Sequence, residues 1–512
     1  MGITSSYNIS TEYDVILIQP PLFRPYVDYG DNLHIEKKYW ADMEMNAGRL
    51  LGDLPTEASY GILSIGTYLK KNGYKVKIID FHIIDLLLRR EKFRGIEEKD
   101  IAGILSQSKS NFYGLTVLTI SEKWSNIITN IVRGVSCGAY IFWGGYFPTK
   151  NDKFILKRNS NISFIVRNEG ELIVKDFLDS FSVCGETALS SVKGITYIKN
   201  DKLFRNEKAM PIENLDELPF IDISLYDEKL CDIIIPRIYS ARGCNNRCLY
   251  CTADNSTYRK YRKKTPKIVV DEIEFIMDQY GKKFFVMGDL EFLCDPQHAK
   301  KICEEIIKRN LDVKWWCQVF PPNVTEEIVA LMREAGNIQI ALGIENHKPE
   351  SLTSMNKKMS QNDPLNAIKI IKKYGLQIQV YIMLGLPGET LNSSLDTIKY
   401  VGELLDQQLI DVVHFSTMVP YPGSPLYNKA EDIKILESDP NKYYMNCDLW
   451  GSGIPPYETK HMTQFEIYSI WLLSLAHTQK FFKKNNTYRK YYKSLYHELG
   501  IDSKMEAYHG TL

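Results

Sequence analysis

An excess of either charge is absent from this sequence. Its 63 lysines and arginines match its 63 aspartates and glutamates, which removes the long-range field that would collect nucleic acid or an anionic membrane. No uninterrupted apolar run of about 18 residues occurs, so no membrane-spanning helix is expected. The first residues, Met1-Gly-Ile-Thr-Ser-Ser-Tyr, lack a basic stretch followed by an apolar core, and no secretory leader is expected. Met1-Gly2 with Ser5 or Ser6 is only a short, weak version of a myristoylation signal. Histidine is scarce, with none between His82 and His298. The 10 cysteines show no secreted-type framework, and reduced thiols in a cytoplasmic protein are the expectation.

What is present is ordinary globular composition, 44% hydrophobic and 25% charged over 512 residues, enough for about three domains. The informative stretch is Ser240-Ala-Arg-Gly-Cys-Asn-Asn-Arg-Cys-Leu-Tyr-Cys251. Cys244, Cys248 and Cys251 follow the β-forming run 232–240, which puts them on a loop just past a strand. A loop of that pitch can wrap three thiolates around an iron-sulfur cube and leave one iron without a protein ligand. The alternative is a non-catalytic zinc site, but closed structural zinc takes four ligands, and the nearest later cysteine is Cys294.

The first third alternates strands and helices. Strands are expected at 13–19, 75–80, 112–118, 139–143 and 163–166, with a helix over 60–73 and helical stretches such as 124–132. This is the pattern of a doubly wound parallel sheet, Rossmann or flavodoxin-like, whose ligands bind past the carboxyl ends of the strands. Gln19, Pro20 and Pro21, then Thr119 and Ser121, then Gly144, Gly145, Phe147 and Thr149, and finally Glu169 and Gly170 stand at those ends. Paired glycines admit a flat ligand close to the backbone, and hydroxyl side chains can bond its polar rim. The set resembles the cobalamin-binding domain that precedes many radical S-adenosylmethionine enzymes. Two departures are Phe147 where relatives often carry histidine and Asn168 where they often carry glycine. No Asp-x-His-x-x-Gly signature is present, so no histidine ligand to cobalt is expected. The resemblance implies a cobalamin domain over 10–185. Residues 186–232 are predicted to be a hairpin, turning at Asn200-Asp201, followed by a linker.

From 233 to 430 the alternation resumes. Strands are expected at 284–287, 313–319, 338–342, 377–383 and 412–416, and a helix over 268–280 ended by Gly281. With the strand before Cys244 these make a partial (β/α)6 barrel with chemistry at its carboxyl edge. The cysteine loop and four later motifs resemble the radical S-adenosylmethionine superfamily. They are Met287-Gly-Asp-Leu-Glu-Phe, Gly343-Ile-Glu-Asn, Leu384-Gly-Leu-Pro-Gly-Glu-Thr and Pro420-Tyr-Pro-Gly-Ser-Pro-Leu. The resemblance implies a 4Fe-4S cluster on Cys244, Cys248 and Cys251. It implies S-adenosylmethionine contacts from Tyr250, Met287, Gly288, Asp289, Glu345, Gly385 and Pro387. Many relatives have an arginine near the position of Phe320, and Gln318 is a substitute for its contact. For Asp289 and Glu345 helix capping is the competing reading, and for Tyr250 simple packing.

Residues 431–512 are expected to form a helical segment, with helices over 465–480 and 488–499, that covers the barrel mouth. Its lysines among aromatics read as a packed face with solvated charges, so nucleic acid is not expected as partner. The implied activity is a cobalamin-dependent methyltransferase. A 5′-deoxyadenosyl radical would activate an unactivated carbon or a phosphorus centre of a small molecule or peptide, methylcobalamin would supply the methyl group, and an external flavodoxin or ferredoxin-type protein the electrons. The alternative within the same chemistry is a non-methylating rearrangement, cyclisation or oxidation. No residue is assigned a catalytic role.

Overall fold

A computed structural model of the chain describes residues 12–22, 56–92, 95–252, 260–428, 431–437 and 454–485. The helix expected over 488–499 and most of the aromatic stretch from 441 lie outside the described residues. The chain forms two compact units, Met1–Met210 with Ile221–Ile234, and Pro211–Phe220 with Ile235–Leu512.

In the first unit the elements run β1 (Val15–Gln19), α1 (Tyr60–Lys71), β2 (Val76–Asp80), α2 (Phe81–Lys92), α3 (Glu98–Ser106), β3 (Phe112–Thr116), α4 (Glu122–Val135), β4 (Tyr140–Gly144), α5 (Tyr146–Arg158), β5 (Phe164–Val166) and α6 (Glu171–Cys184). A hairpin, β6 (Ile195–Lys199) and β7 (Lys202–Arg205), follows. The sheet order is β2-β1-β3-β4-β5-β6-β7. β1 pairs in parallel with both β2 and β3, so the order reverses beside β1, where doubly wound sheets bind ligands. All five residues of β1 are buried, as a strand covered on both faces requires. Ile16, Tyr113, Ile141, Trp143 and Ile165 lead the core on one side.

The hairpin differs from its expected place between domains. β6 pairs antiparallel with β5 and buries Ile195 and Tyr197, so it extends the first sheet. Its turn is the expected one, with Asn200 and Asp201 at φ of 50° and 60°, the pair of positive angles that a tight hairpin turn demands.

Asp80 closes β2 and caps α2, accepting from the Ile83 N–H at 3.0 Å. Burial pushes its carboxyl up to about 7, against the lowering effect of the Ile83 and His82 N–H groups. A raised folded pKa means that the fold favours the protonated acid. The stability it contributes is therefore complete below about pH 4 and lost as pH climbs to about 7, at up to about 1.4 kcal/mol per pH unit. Asp80→Asn should remove this dependence while keeping an acceptor for the cap. Hydrogen exchange of β2 amides at pH 5.5 and 7.5 checks it. Wild type should lose protection relative to the variant at the higher pH, and parallel profiles would contradict the assignment.

The second unit is built from β8 (Arg237–Ile238), α7 (Pro266–Tyr280), β9 (Phe284–Met287), α8 (Pro296–Lys308), β10 (Lys314–Val319), α9 (Glu326–Glu334), β11 (Asn337–Glu345), α10 (Asp363–Lys373), β12 (Gln377–Leu384), α11 (Leu391–Asp406) and β13 (Val412–Thr417). The long helix α12 (Gln464–Asn485) comes last. The six strands lie in the order β8-β9-β10-β11-β12-β13, every pair parallel. Each helix returns the chain to the next strand, so all carboxyl ends share one rim. The first strand is shorter than expected, because Pro236 cannot donate to a ladder and only Arg237 and Ile238 pair with β9. α7 begins with Pro266 at its first position and ends at Gly281, whose φ is 64°, the usual asymmetry of helix ends. α12 packs on β13, where the Trp471 indole donates to the Phe415 carbonyl at 3.1 Å.

Candidate active site

At the carboxyl end of β8 the chain enters the cysteine loop, and Asp289 holds that entry. Buried just past β9, its carboxylate accepts from the Ser240 N–H at 2.8 Å, the Ala241 N–H at 3.1 Å and the Ser240 hydroxyl. Desolvation pushes it up to about 6 despite these donors. Asp289 is thus committed to the backbone that launches the loop, and no helix is capped by it. Glu291, which stands in the same motif but was assigned no role from the sequence, does the same for the turn that follows and for the end of the next strand. It accepts from Phe320 N–H at 3.1 Å, Leu293 N–H at 3.0 Å and Asn323 Nδ2 at 3.2 Å, and burial raises it to about 8.

The loop then pairs Ala241–Arg242 antiparallel with Arg262–Lys263. Gly243, at φ 97°, brings the chain so close that a Cβ would sit 2.3 Å from the Lys260 carbonyl. Cys244, Cys248 and Cys251 are all reduced and half-buried. The Asn246 N–H points to Cys244 Sγ at 3.4 Å. Leu249 N–H donates to the Met355 carbonyl at 3.0 Å, and Asn356 Nδ2 to the Arg247 carbonyl at 2.8 Å. The loop is therefore fastened to the segment after β11.

The fastening carries a group with no sequence signal, Lys357. Its Nζ lies 2.7 Å from Glu345 Oε1, with both side chains largely buried. The Tyr250 hydroxyl reaches the same carboxylate oxygen at 3.3 Å, and Lys357 stands 5.5 Å over the Phe320 ring. Burial raises the Cys248 thiol, and the Lys357 charge opposes this. Burial first, then the Glu345 charge, pushes the Tyr250 phenol well above its ordinary value. Glu345 adopts a left-handed φ of 65° at a register shift in the β11–β12 ladder. That conformation folds its side chain back over Gly343, where a Cβ would meet Glu345 Oε1 at 2.8 Å and Lys357 Nζ at 3.1 Å. The Gly-Ile-Glu spacing is thus a steric requirement of the ion pair.

The remaining second-unit residues singled out from sequence are spread more widely. Met287 is in the core and Gln318 is exposed. Gly288 is closely approached by Arg237 and Tyr239. Gly385 and Pro387 are buried, with Tyr457 donating to the Gly385 carbonyl at 3.0 Å. Their turn is held by Glu389, which accepts from Gly385 N–H at 2.8 Å, Leu386 N–H at 3.1 Å and Asn346 Nδ2 at 2.9 Å. Glu389→Ala leaves three buried donors without their acceptor, a loss of about 2–4 kcal/mol. A thermal melt should show it, whereas Glu389→Gln should recover most of it, and an unchanged alanine variant would remove Glu389 from this role.

In the first unit, Gln19, Pro20 and Pro21 are buried at the end of β1, with Gln19 Oε1 accepting from Ser59 Oγ at 2.7 Å. Thr119 is half-buried, and Ser121 is fully buried with its hydroxyl bonded to the Leu118 backbone. A Cβ added at Gly144 would make ordinary contact with the Val166 carbonyl at 3.7 Å, whereas Gly145 has φ 106° and an added Cβ there would meet Val117 backbone at 3.0 Å. Thr149 ties two edges together, donating to Gly145 O at 2.8 Å and accepting from Asn168 N at 2.9 Å. Asn168 takes φ 68°, so asparagine meets the backbone need of the glycine it replaces. Glu169 is half-buried, and Gly170 is packed on Ile65. Phe147 departs from expectation: its side chain is 1% exposed within the apolar core, which leaves it no surface for a ligand.

The donor set fits a cluster. Three thiols share one tethered loop, a backbone N–H faces one sulfur, and N–H bonds of this kind stabilise bound thiolates. Cys294 lies beside them. Its thiol is hydrogen-bonded to Cys244, which together with burial keeps it protonated, and its sulfur accepts from Asn245 N–H at 3.3 Å. Among the described residues, no three His, Cys, Asp or Glu side chains are gathered as a single metal ion requires. No described helix is long and apolar enough to cross a membrane.

The second unit defines a class. Residues 238–401 match the model of the Radical SAM superfamily; this segment is a radical SAM domain, and the protein is an enzyme. Its relatives include an uncharacterized methyltransferase of Pyrococcus horikoshii, 27% identical over 78% of this chain and 82% of that one. The anaerobic magnesium-protoporphyrin IX monomethyl ester cyclase of Cereibacter sphaeroides is 26% identical over 73% and 60%. In fold the chain resembles the radical S-adenosylmethionine methyltransferase TsrM of Kitasatospora setae, solved with cobalamin and a [4Fe-4S] cluster bound. The TM-score is 0.65, with 16% identity over 91% of this chain and 88% of that one. It also resembles the cobalamin-dependent enzyme OxsB, at TM-score 0.62 and 17% identity over 97% and 75%.

Proposed function

We propose that this protein is a cobalamin-dependent radical SAM methyltransferase that acts on an unactivated carbon or a phosphorus centre of a small molecule or peptide. The observation that carries the reading is the tethered cysteine loop with Lys357 and Glu345 beside it. When bound, the cluster with S-adenosylmethionine supplies a 5′-deoxyadenosyl radical and cobalamin a transferable methyl group. The chain's own residues bind and orient. Cys244, Cys248 and Cys251 hold the cluster, and Asp289 fixes the start of their loop. Lys357 provides a buried cation for the cofactor's carboxylate, in place of an arginine near Phe320, and Glu345 an acceptor for its amino group. The glycine backbone at Gly144 and Gly145 offers cobalamin a close approach. Support for methyl transfer comes from the methyltransferases among the relatives.

The cyclase relative favours a second reading, the same cofactors used without methylation. Anaerobic incubation with S-adenosylmethionine and a low-potential reductant, the role of the external electron donor, separates the two. A methyltransferase should form both 5′-deoxyadenosine and S-adenosylhomocysteine, the spent methyl donor. Deoxyadenosine alone supports the non-methylating reading, and zinc in place of iron would exclude both.

A further inference from the structure

The face of β10–β13 away from the helices is the least explained surface of the second unit. Trp315 identifies the helix side, since its indole donates to the Ala335 carbonyl at the end of α9 at 2.8 Å. Residues of opposite parity therefore look inward, and along β12 the two sets separate cleanly, buried Ile378, Val380 and Ile382 against half-buried Gln377, Gln379 and Tyr381. The inward set is joined across strands. Gln339 Nε2 donates to Gln379 Oε1 at 2.8 Å, and Gln379 Nε2 to the Tyr381 hydroxyl at 2.7 Å. Tyr381 stacks on His414 with centroids 5.5 Å apart at 24°. Gln318 stands level with Ala341 and Gln379 in the ladder, so two small residues, Ala341 and Gly343, lie in the middle of a wall of amides and rings. Gln377 Oε1, on the same face, is buried with no hydrogen-bond partner.

This wall is neutral. Between Lys314 at the start of β10 and Glu345 at the end of β11, the inward positions of the four strands hold no Asp, Glu, Lys or Arg. Burial drops the His414 imidazole to about 4, so the ring is uncharged at neutral pH. The nearest charges, Lys357 and Glu345 beside Gly343, are paired with each other at 2.7 Å, so an anionic group placed against Gln379 and Tyr381 would surrender water without gaining an unpaired countercharge. A neutral planar group finds amide donors and acceptors and an aromatic pair to lie against.

We propose that this inner wall is the substrate-recognition surface, and that it takes a neutral, planar, hydrogen-bonding group of the carboxamide or nitrogen-heterocycle class, read by Gln379 and Tyr381, with Gln339 holding the Gln379 amide in place. The inference rests on the radical-enzyme reading above and adds the substrate class to it. Nicotinamide and nicotinate, which share a ring and differ in charge, serve as probes for the full-length, cluster-loaded protein, with binding followed by saturation-transfer NMR. Nicotinamide should bind at least about tenfold more tightly, the cost of leaving one buried charge or amide uncompensated. Gln379→Leu and, independently, Tyr381→Phe should each erode that preference while the iron content and thermal melt of the same samples stay at the wild-type level. Equal or reversed affinities, no binding of either probe, or a preference untouched by both variants would overturn the inference and leave the enzyme reading standing. A wild-type protein that forms no 5′-deoxyadenosine would take both.

Discussion

Replacing Cys244, Cys248 or Cys251 singly with alanine should give folded protein that forms no 5′-deoxyadenosine above background, with iron falling from about four atoms per chain to below about one. The effect is large because the loop offers no substitute at equivalent geometry. Each sulfur is presented by a backbone fixed at both ends, by Asp289 on Ser240 and Ala241 and by Met355 and Asn356 on Leu249 and Arg247. Folding should survive, since the three side chains are half-buried and outside the apolar core. Cys294→Ala is the control. Its thiol contacts Cys244 but belongs to the turn after β9, so most of the iron and activity should remain. A Cys294 variant as empty of iron as the others would make it a fourth ligand and return the zinc reading to contention.

Lys357→Met is expected to have the second-largest effect, on two counts. The Glu345 carboxylate, 12% exposed, loses the ammonium 2.7 Å away, and breaking a buried pair from one side costs about 3–5 kcal/mol. The cofactor also loses its cation, and S-adenosylmethionine affinity should fall about 10–100-fold. The two losses can be separated. Combining Lys357→Met with Glu345→Gln removes the unpaired charge and should restore much of the stability, while leaving cofactor binding weak. Lys357→Arg should keep most of both. Thermal melts and equilibrium dialysis with S-adenosylmethionine decide it, and a Met variant with unchanged dialysis would leave Lys357 a purely structural partner of Glu345.

The sequence was most legible where one physical rule dominated. Strand and helix alternation located nearly every element of both sheets, because apolar runs of four to eight residues bounded by turn formers have few other uses. The cysteine spacing placed the loop, and the Asn200-Asp201 turn was read correctly. What could not be read was the hairpin's destination, since edge pairing with β5 depends on a neighbour 30 residues away. Lys357 was equally silent. It lies twelve positions beyond Glu345 with no periodic relation to it, and only the left-handed bend at Glu345 brings the two together. The burial of Phe147 was not legible, because a residue two steps past a glycine pair can turn either to the edge or to the core, and its volume favours the core. The Gly-Leu-Pro-Gly-Glu motif was recognised, but its glutamate was not. Glu389 matters through three donors on its own turn and on Asn346, a network invisible along the chain.

Whether the full-length protein, purified without oxygen and loaded with iron, sulfide and hydroxocobalamin, keeps cobalamin through gel filtration tests the central claim most directly. About one cobalamin per chain, together with about four iron atoms, is the expected result. A folded, cluster-containing protein from which cobalamin washes away completely would contradict it, and would leave a radical enzyme whose first unit serves some other purpose.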